Sequence, residues 1–331
     1  MNDKILITGA AGFIGLHLTR RLLDDGYQVH MVDNFARAVK DADLEQTLQH
    51  PAATFSSVDC LDAGQVGQLP TDFDYIFHLA AIIGVEHVVN RPFEVVVNNT
   101  NLLANLIDHA RCQSKLKRFL FASTSEVYAG TLENFELPVP TPEQTPLSLS
   151  DVARPRTSYM LSKIAGEAMC HYSGLPFTIF RPHNVYGPRM GSAHVVPGQL
   201  RKAWEAADGD SIAVPSVDQT RCFCYIDDAV EMLVRMMTRS ECENETLNLG
   251  TQEPEVTIRE LAETCHRAVG RDVSLKPEPA PPGSPNRRAP DMSLTFKATG
   301  YRSEVSLDDG VTRTWQWYRT NVFEGAGVTA I

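Results

Sequence analysis

From its fourth residue the chain commits to one kind of turn. Lys4-Ile-Leu-Ile-Thr8 has the character of a short buried strand, and Gly9-Ala-Ala-Gly12-Phe-Ile-Gly15 follows it directly. Past the first glycines, Phe13, Ile14, Leu16, Leu18, Leu22 and Leu23 recur with roughly helical spacing. A strand that enters a helix through three glycines can cradle a phosphate. Gly9 takes the tight turn, Gly12 lets the backbone approach a pyrophosphate, and Gly15 lets the helix pack closely on the sheet. The phosphates then rest on the free N–H groups of the helix N-terminus. The spacing is G-x-x-G-x-x-G rather than G-x-G-x-x-G.

A second strand, Gln28–Val32, ends in Asp33. A carboxylate about 20 residues past the loop accepts both ribose hydroxyls of an adenosine. It repels a 2′-phosphate, and no Arg follows at once, so the spacing favours NAD over NADP.

Strand and helix signals continue to alternate, which predicts an α/β fold with a parallel sheet covered on both faces, a Rossmann-type doubly wound arrangement. Strands are expected near 54–58, 75–79, 118–123 and 177–180, with helices near 93–112 and 157–172. Residues 131–155 are Pro-rich and acidic and read as a loop or lid. Beyond residue 180 the pattern changes: helices near 195–207, 227–239 and 257–269 are separated by short strands, a Pro/Gly-rich segment spans 277–290, and an amphipathic helix lies near 308–320. The expected organisation is a dinucleotide domain over 1–180 and a smaller mixed α/β substrate lobe over 181–331, with some of its segments returning to the first domain. No internal repeat is evident.

The second strong pattern is Tyr159-Met-Leu-Ser-Lys163. Four residues apart on a helix, the two side chains share a face. A free phenol titrates near 10, too high for a base at neutral pH, and a neighbouring ammonium favours the phenolate. Tyr159 is thus expected to take a proton from an alcohol while hydride leaves the same carbon. Thr124, just past strand 118–123, is placed to bond the reacting oxygen, with Ser123 and Ser125 as positional rivals. Glu126 would share the side of Thr124 if extension continued, as a base at the carbon next to the new ketone.

Composition narrows the partners. A formal net charge of −11 argues against nucleic acid and anionic membranes. No apolar run reaches the roughly 18–20 residues that span a bilayer. With a strand already under way at Lys4, no signal peptide is expected. Seven dispersed cysteines (60, 112, 170, 222, 224, 242 and 265) form no C-x-x-C pair. They read as reduced core thiols of a cytoplasmic protein. No metal site is expected.

Taken together, Gly9-x-x-Gly12-x-x-Gly15, Asp33, Asp59, His78-Leu-Ala-Ala81, Asn99, Ser123-Thr-Ser-Glu-Val-Tyr128, Tyr159-x-x-x-Lys163 and Arg181-Pro-x-Asn184 resemble the extended short-chain dehydrogenase/reductases, over nearly the whole chain. The branch is that of the NAD-dependent nucleotide-sugar epimerases, dehydratases and decarboxylases. The resemblance implies oxidation at sugar C4 by bound NAD, then a second step on the 4-ketone.

It also implies site residues. Phe13, Ile14 and Asn34 join the glycines and Asp33 around the cofactor. Asp59 and Cys60 line the adenine. Leu79, Ala80, Ala81, Asn99, Ser123, Pro182 and His183 complete the cofactor set with Tyr159 and Lys163. Thr124, Ser125, Glu126, Asn184, Arg189, Arg221 and Arg288 are expected on the substrate, the last two on its diphosphate. Arg287 is the rival of Arg288.

The segment Ser123–Tyr128 is similar to that of UDP-glucuronate decarboxylases and GDP-mannose 4,6-dehydratases, and Arg181–Arg189 to the decarboxylases. Ser125 departs from the aspartic acid of dTDP-glucose dehydratases, and His183 from a common Phe. The expected substrate is a nucleotide-diphospho-sugar, UDP favoured, with dehydration or decarboxylation ahead of 4-epimerisation. The competing classes are an NADP-dependent alcohol dehydrogenase and a non-catalytic NAD-sensing module. A homodimer through the helices near 93–112 and 157–172 is expected.

Overall fold

The structure is a computed structural model that describes residues 3–280 and 284–325. Fourteen strands alternate with twelve helices among these residues. In the first half they are β1 (Lys4–Thr8), α1 (Phe13–Asp24), β2 (Gln28–Asp33), α2 (Ala42–Leu48), β3 (Ala53–Ser57), α3 (Ala63–Val66), β4 (Tyr75–His78), α4 (Val85–Asn90), α5 (Pro92–Arg111), β5 (Arg118–Ala122), α6 (Ala129–Asn134), α7 (Thr157–Tyr172) and β6 (Phe177–Pro182). The second half adds β7 (Val185–Tyr186), α8 (Val195–Glu205), β8 (Ser211–Pro215), β9 (Thr220–Cys222), β10 (Cys224–Tyr225), α9 (Ile226–Thr238), β11 (Glu245–Leu249), β12 (Glu255–Thr257), α10 (Ile258–Val269), β13 (Ser274–Glu278), β14 (Arg287–Arg288), α11 (Ser293–Thr299) and α12 (Leu307–Tyr318).

Seven strands form one parallel sheet in the order β11-β6-β5-β4-β1-β2-β3. Strand order reverses between β1 and β4. Crevices outside the carboxyl ends of strands at such a reversal are where open α/β sheets bind ligands. Gly9 follows β1 there, and Ser123 follows β5. β11 comes from the second half of the chain yet pairs with β6.

Alternation along β1 divides the core. Ile5 and Ile7 join one apolar cluster with Leu16, Leu18 and Leu22 of α1, while Leu6 joins the other with Leu102, Leu103 and Leu106 of α5. Both faces of the strand are therefore buried, as an unbroken apolar run requires. Helices α1 and α9 pack together, as do α5 and α7.

Smaller sheets build the rest of the second half. β9 pairs antiparallel with β12 and parallel with β14, and β8 pairs with β13. Thus the Pro/Gly-rich 277–290 segment, expected to interrupt structure, contributes one strand end and one short strand; its residues 281–283 lie outside the described residues. The expected 131–155 lid likewise begins inside α6. Two short helices absent from the sequence reading, α2 and α3, carried a signal: Asp41 and Asp62 cap their first N–H groups. Of the seven cysteines, six are buried and Cys112 is exposed, against the expectation of core thiols throughout. Among the described residues no helix is long and apolar enough to cross a membrane.

Candidate active site

The cradle is closed by its own backbone. Gly9 has φ +71°, and a Cβ on Gly15 would lie 2.2 Å from the Gly9 carbonyl oxygen, so only glycine fits there. Ala10 N–H donates to Val32 O at 3.2 Å and Gly12 N–H to Gly9 O at 3.1 Å. The first bond into α1 runs from Leu16 N–H to Gly12 O. The N–H groups of Phe13, Ile14 and Gly15 therefore stand at the open helix end, which fits a pyrophosphate.

Asp33 accepts from Ala11 N–H at 3.1 Å and Phe35 N–H at 2.9 Å, and burial pushes its carboxyl above the usual value. Asn34 is exposed and accepts from Ala36 N–H. Asp59 turns its carboxylate onto Leu61 N–H at 3.0 Å. Cys60 is buried and its thiol is pushed up to about 12, so it is a wall rather than a reagent. Leu79, Ala80 and Ala81 are half-buried after β4. Asn99 braces this stretch, accepting from Ile82 N–H at 2.7 Å and donating to Ser162 Oγ at 3.2 Å.

Tyr159 and Lys163 sit one turn apart on α7, with Lys163 Nζ 5.8 Å from the Tyr159 ring centre. Lys163 is buried and donates to Ala122 O at 2.7 Å. Burial lowers its ammonium to about 8. Burial raises the Tyr159 phenol, and the charge of Glu126 adds to that; the Thr124 hydroxyl bond and the Arg37 cation pull the other way. In this structure desolvation is the largest influence on both groups, and Arg37, from the β2–α2 connection, is a further cation near Tyr159. No local motif marked Arg37.

Thr124 is distinguished from its rivals. Ser123 donates to Glu167 Oε1 at 2.5 Å, behind the site, and Ser125 is buried. Thr124 Oγ1 caps a 3₁₀ turn, Ser125–Tyr128, by accepting from Glu126 N–H at 3.2 Å. The extension on which the side of Glu126 depended does not occur, because the Thr124 hydroxyl offers the backbone a turn instead. Glu126 reaches Arg288 all the same, at 2.9 Å.

A buried polar network, missed from sequence, supports this edge. Arg181 binds Glu167 through Nε at 2.8 Å and Nη2 at 2.6 Å, and donates to Tyr128 OH at 2.7 Å. Tyr128 donates to Asn248 Oδ1 at 3.0 Å. Asn248 donates through Nδ2 to Thr141 O and Asp291 O, so its Oδ1 also takes His183 Nε2 at 3.0 Å. His183 is fully buried at the end of this network, its Nδ1 is without a partner among the described residues, and burial lowers it to about 3. The available signal was Glu167, one turn beyond Lys163. Pro182 is half-buried at the end of β6.

Arg221 and Arg288 are aligned neighbours on β9 and β14. Burial and the charge of Arg288 lower Arg221 to about 10. Arg221 is held by Thr220 O at 2.7 Å and Gln219 Oε1 at 3.2 Å. Arg287, one residue along, forms a two-pronged pair with Glu255 at 2.7 and 2.6 Å. Arg288 is thus the member of that pair that meets Glu126. Asn184, with φ 41°, donates to Cys222 O at 3.1 Å and so ties β9 to the end of β6. Arg189, expected on substrate, is instead fully buried with its guanidinium spent on Asp41 and on backbone carbonyls.

The chain is similar to known proteins over most of its length. Residues 5–250 match the profile of the NAD dependent epimerase/dehydratase family. The UDP-N-acetyl-alpha-D-glucosaminuronate decarboxylase of Bacillus cytotoxicus is 34% identical over 96% of this chain and 98% of that protein. The UDP-glucuronic acid decarboxylase 1 of Danio rerio is 30% identical over 95% of this chain and 72% of that protein. Among solved structures, the UDP-glucuronic acid 4-epimerase from Bacillus cereus, in complex with UDP-glucuronic acid and NAD, superposes with a TM-score of 0.80 at 27% identity, covering 96% of this chain and 99% of that one.

Proposed function

The chain belongs to the NAD dependent epimerase/dehydratase family, and on that premise we propose that it oxidises C4 of a UDP-hexuronic acid with NAD and then releases the C6 carboxylate as carbon dioxide. NAD supplies the hydride acceptor. Tyr159, bonded to Thr124, takes the C4 hydroxyl proton as hydride leaves the same carbon. The product ketone is β to the carboxylate on C5, so the C5–C6 bond breaks with its electrons drawn into the ketone. The resulting C5 enolate needs one proton, and return of the hydride to C4 with a proton on its oxygen would leave a UDP-pentose and NAD, a net loss of carbon dioxide alone.

The observation that carries this reading is the Glu126 carboxyl held on Arg288 at 2.9 Å, within electrostatic reach of Tyr159. In this reading Glu126 supplies the exchangeable proton at C5, one carbon from the oxidised centre. Arg221 and Arg288, adjacent on β9 and β14, suit a diphosphate because each presents a planar fork of donors. The two decarboxylases among the relatives support the choice over dehydration. The uronate 4-epimerase among the structural neighbours supports a second reading, in which the 4-ketone is reduced from its other face.

Incubation with UDP-glucuronic acid, UDP-N-acetylglucosaminuronic acid and UDP-glucose, followed by mass spectrometry, separates these. Loss of carbon dioxide supports the proposal. Loss of water, or an isomer of unchanged mass, replaces it with dehydration or epimerisation. A homodimer through α5 and α7 belongs to the same proposal, and a monomeric mass in sedimentation analysis would remove it.

A further inference from the structure

The Gly187-Pro188-Arg189-Met190 segment folds back onto the dinucleotide cradle. Arg189 has a left-handed backbone, φ 68°, and a side chain only 1% exposed. Its Nε meets Asp41 Oδ2 at 2.6 Å, its Nη1 meets Ala11 O at 2.6 Å and Gly12 O at 3.4 Å, and its Nη2 meets Val39 O at 2.9 Å. The flanking residues are tied down as well. His17 Nε2 lies 3.0 Å from Pro188 O, and Tyr318 OH donates to Met190 O. Three segments thus meet at one planar cation: the glycine loop, the β2–α2 connection and the stretch that begins at Asn184.

Peptide planarity gives this junction a consequence. In a trans peptide the C=O and the following N–H point in opposite directions. With the carbonyls of Ala11 and Gly12 drawn to Arg189, the N–H groups of Gly12 and Phe13 are turned away from it. The Phe13 N–H is one of the free donors at the start of α1, where a pyrophosphate rests. A lysine ammonium is a single point charge and cannot reproduce a fork that reaches three carbonyls and a carboxylate.

We propose that Arg189 is a positioning residue that couples the two halves of the site. It sets the glycine loop for the NAD pyrophosphate and fixes the stretch carrying Asn184, so that NAD and the UDP moiety each strengthen the binding of the other. Only the identity of the second ligand rests on the function proposed above.

The test is calorimetric titration of full-length wild type, R189M and R189K, each freed of cofactor, with NAD, and then with UDP in the presence and absence of NAD. Wild type is expected to bind UDP at least about 5-fold more tightly when NAD is present. R189M is expected to lose about 10-fold or more in NAD affinity and to bring the UDP ratio to about one, and R189K is expected to restore neither. Should R189M fail to fold, D41N carries the test, because it removes the counter-ion and leaves the carbonyl bonds; it is expected to lower both quantities by a smaller factor. NAD affinity within about twofold of wild type in the folded variant, a change well below the usual coupling range, overturns the loop-setting role. A wild-type UDP ratio of one overturns the coupling. Absence of UDP binding to wild type removes the UDP reading instead, and the NAD titration still decides the role of Arg189.

Discussion

Arg288 Nη1 donates to Glu126 Oε1 at 2.9 Å across 162 residues of sequence. The bond joins β14, in the second half of the chain, to the turn that follows β5 of the main sheet. It brings the cation proposed for the diphosphate and the carboxyl proposed for proton exchange into direct contact. The separate steps of the proposed reaction can therefore be removed one at a time.

Glu126→Gln keeps the size of the side chain and removes its exchangeable acid. Oxidation at C4 is expected to survive while C5 chemistry fails, so reduced cofactor accumulates and overall turnover falls by about 10²–10⁴-fold. Single-turnover absorbance of NADH, with products followed by mass spectrometry, reads both. Wild-type turnover in this variant would remove Glu126 from the reaction.

The neighbouring arginines should separate cleanly. Arg288→Met is expected to raise KM for a UDP-sugar by about 10–100-fold, the equivalent of losing a charged hydrogen bond. Arg287 spends both prongs on Glu255 at a half-exposed site, and exposed pairs contribute about 0–1 kcal/mol. Arg287→Ala should leave KM within about fivefold of wild type. The reverse order would make Arg287 the ligand.

Activity and stability should move in opposite directions above neutral pH. The Lys163 ammonium is lowered from 10.5 to about 8 by burial. As pH rises through about 8 the folded protein loses this cation beside Tyr159, so kcat/KM is expected to decline along that limb. Between about 8 and 10.5 the unfolded chain holds the proton and the folded one does not, so stability is gained with rising pH across that window. Lys163→Met should abolish this contribution to the stability slope. A kcat/KM profile flat from neutral pH to 10 would contradict the assignment.

The Arg181–Glu167 pair has side chains only 5% and 7% exposed. Removing one partner of a buried pair strands the other, at a cost of roughly 3–5 kcal/mol. Glu167→Ala is expected to lower the urea midpoint accordingly with an unchanged m-value, whereas Arg287→Ala should shift it by no more than about 1 kcal/mol. Equal shifts in the two variants would deny the network its supporting role.

Much of this fold was legible in the sequence, because local signals and tertiary demands coincide there. The apolar run Lys4–Thr8, the glycines after it, and the helix Thr157–Tyr172 each read the same way by propensity and by place. The positions of Asp33, Thr124 and Tyr159 in the fold were legible for the same reason: each sits at the carboxyl end of a strand or on a helix beside it. Contacts made by single side chains across long separations were not legible. Arg189 resembles a substrate arginine in sequence, and only its burial against Asp41 and Ala11 shows what it holds. The turn at Ser125 was left open, because the Thr124 hydroxyl competes with strand extension. His183 depends on Asn248, 65 residues away, which carried no motif of its own.

The central claim is that Tyr159 removes the proton as hydride passes to NAD. Tyr159→Phe keeps the ring and its packing and deletes only the proton-transferring oxygen. Mixed with a turned-over UDP-sugar under single-turnover conditions, this variant is expected to form NADH at least about 100-fold more slowly than wild type while binding NAD equally well. Formation of NADH at the wild-type rate would contradict the account.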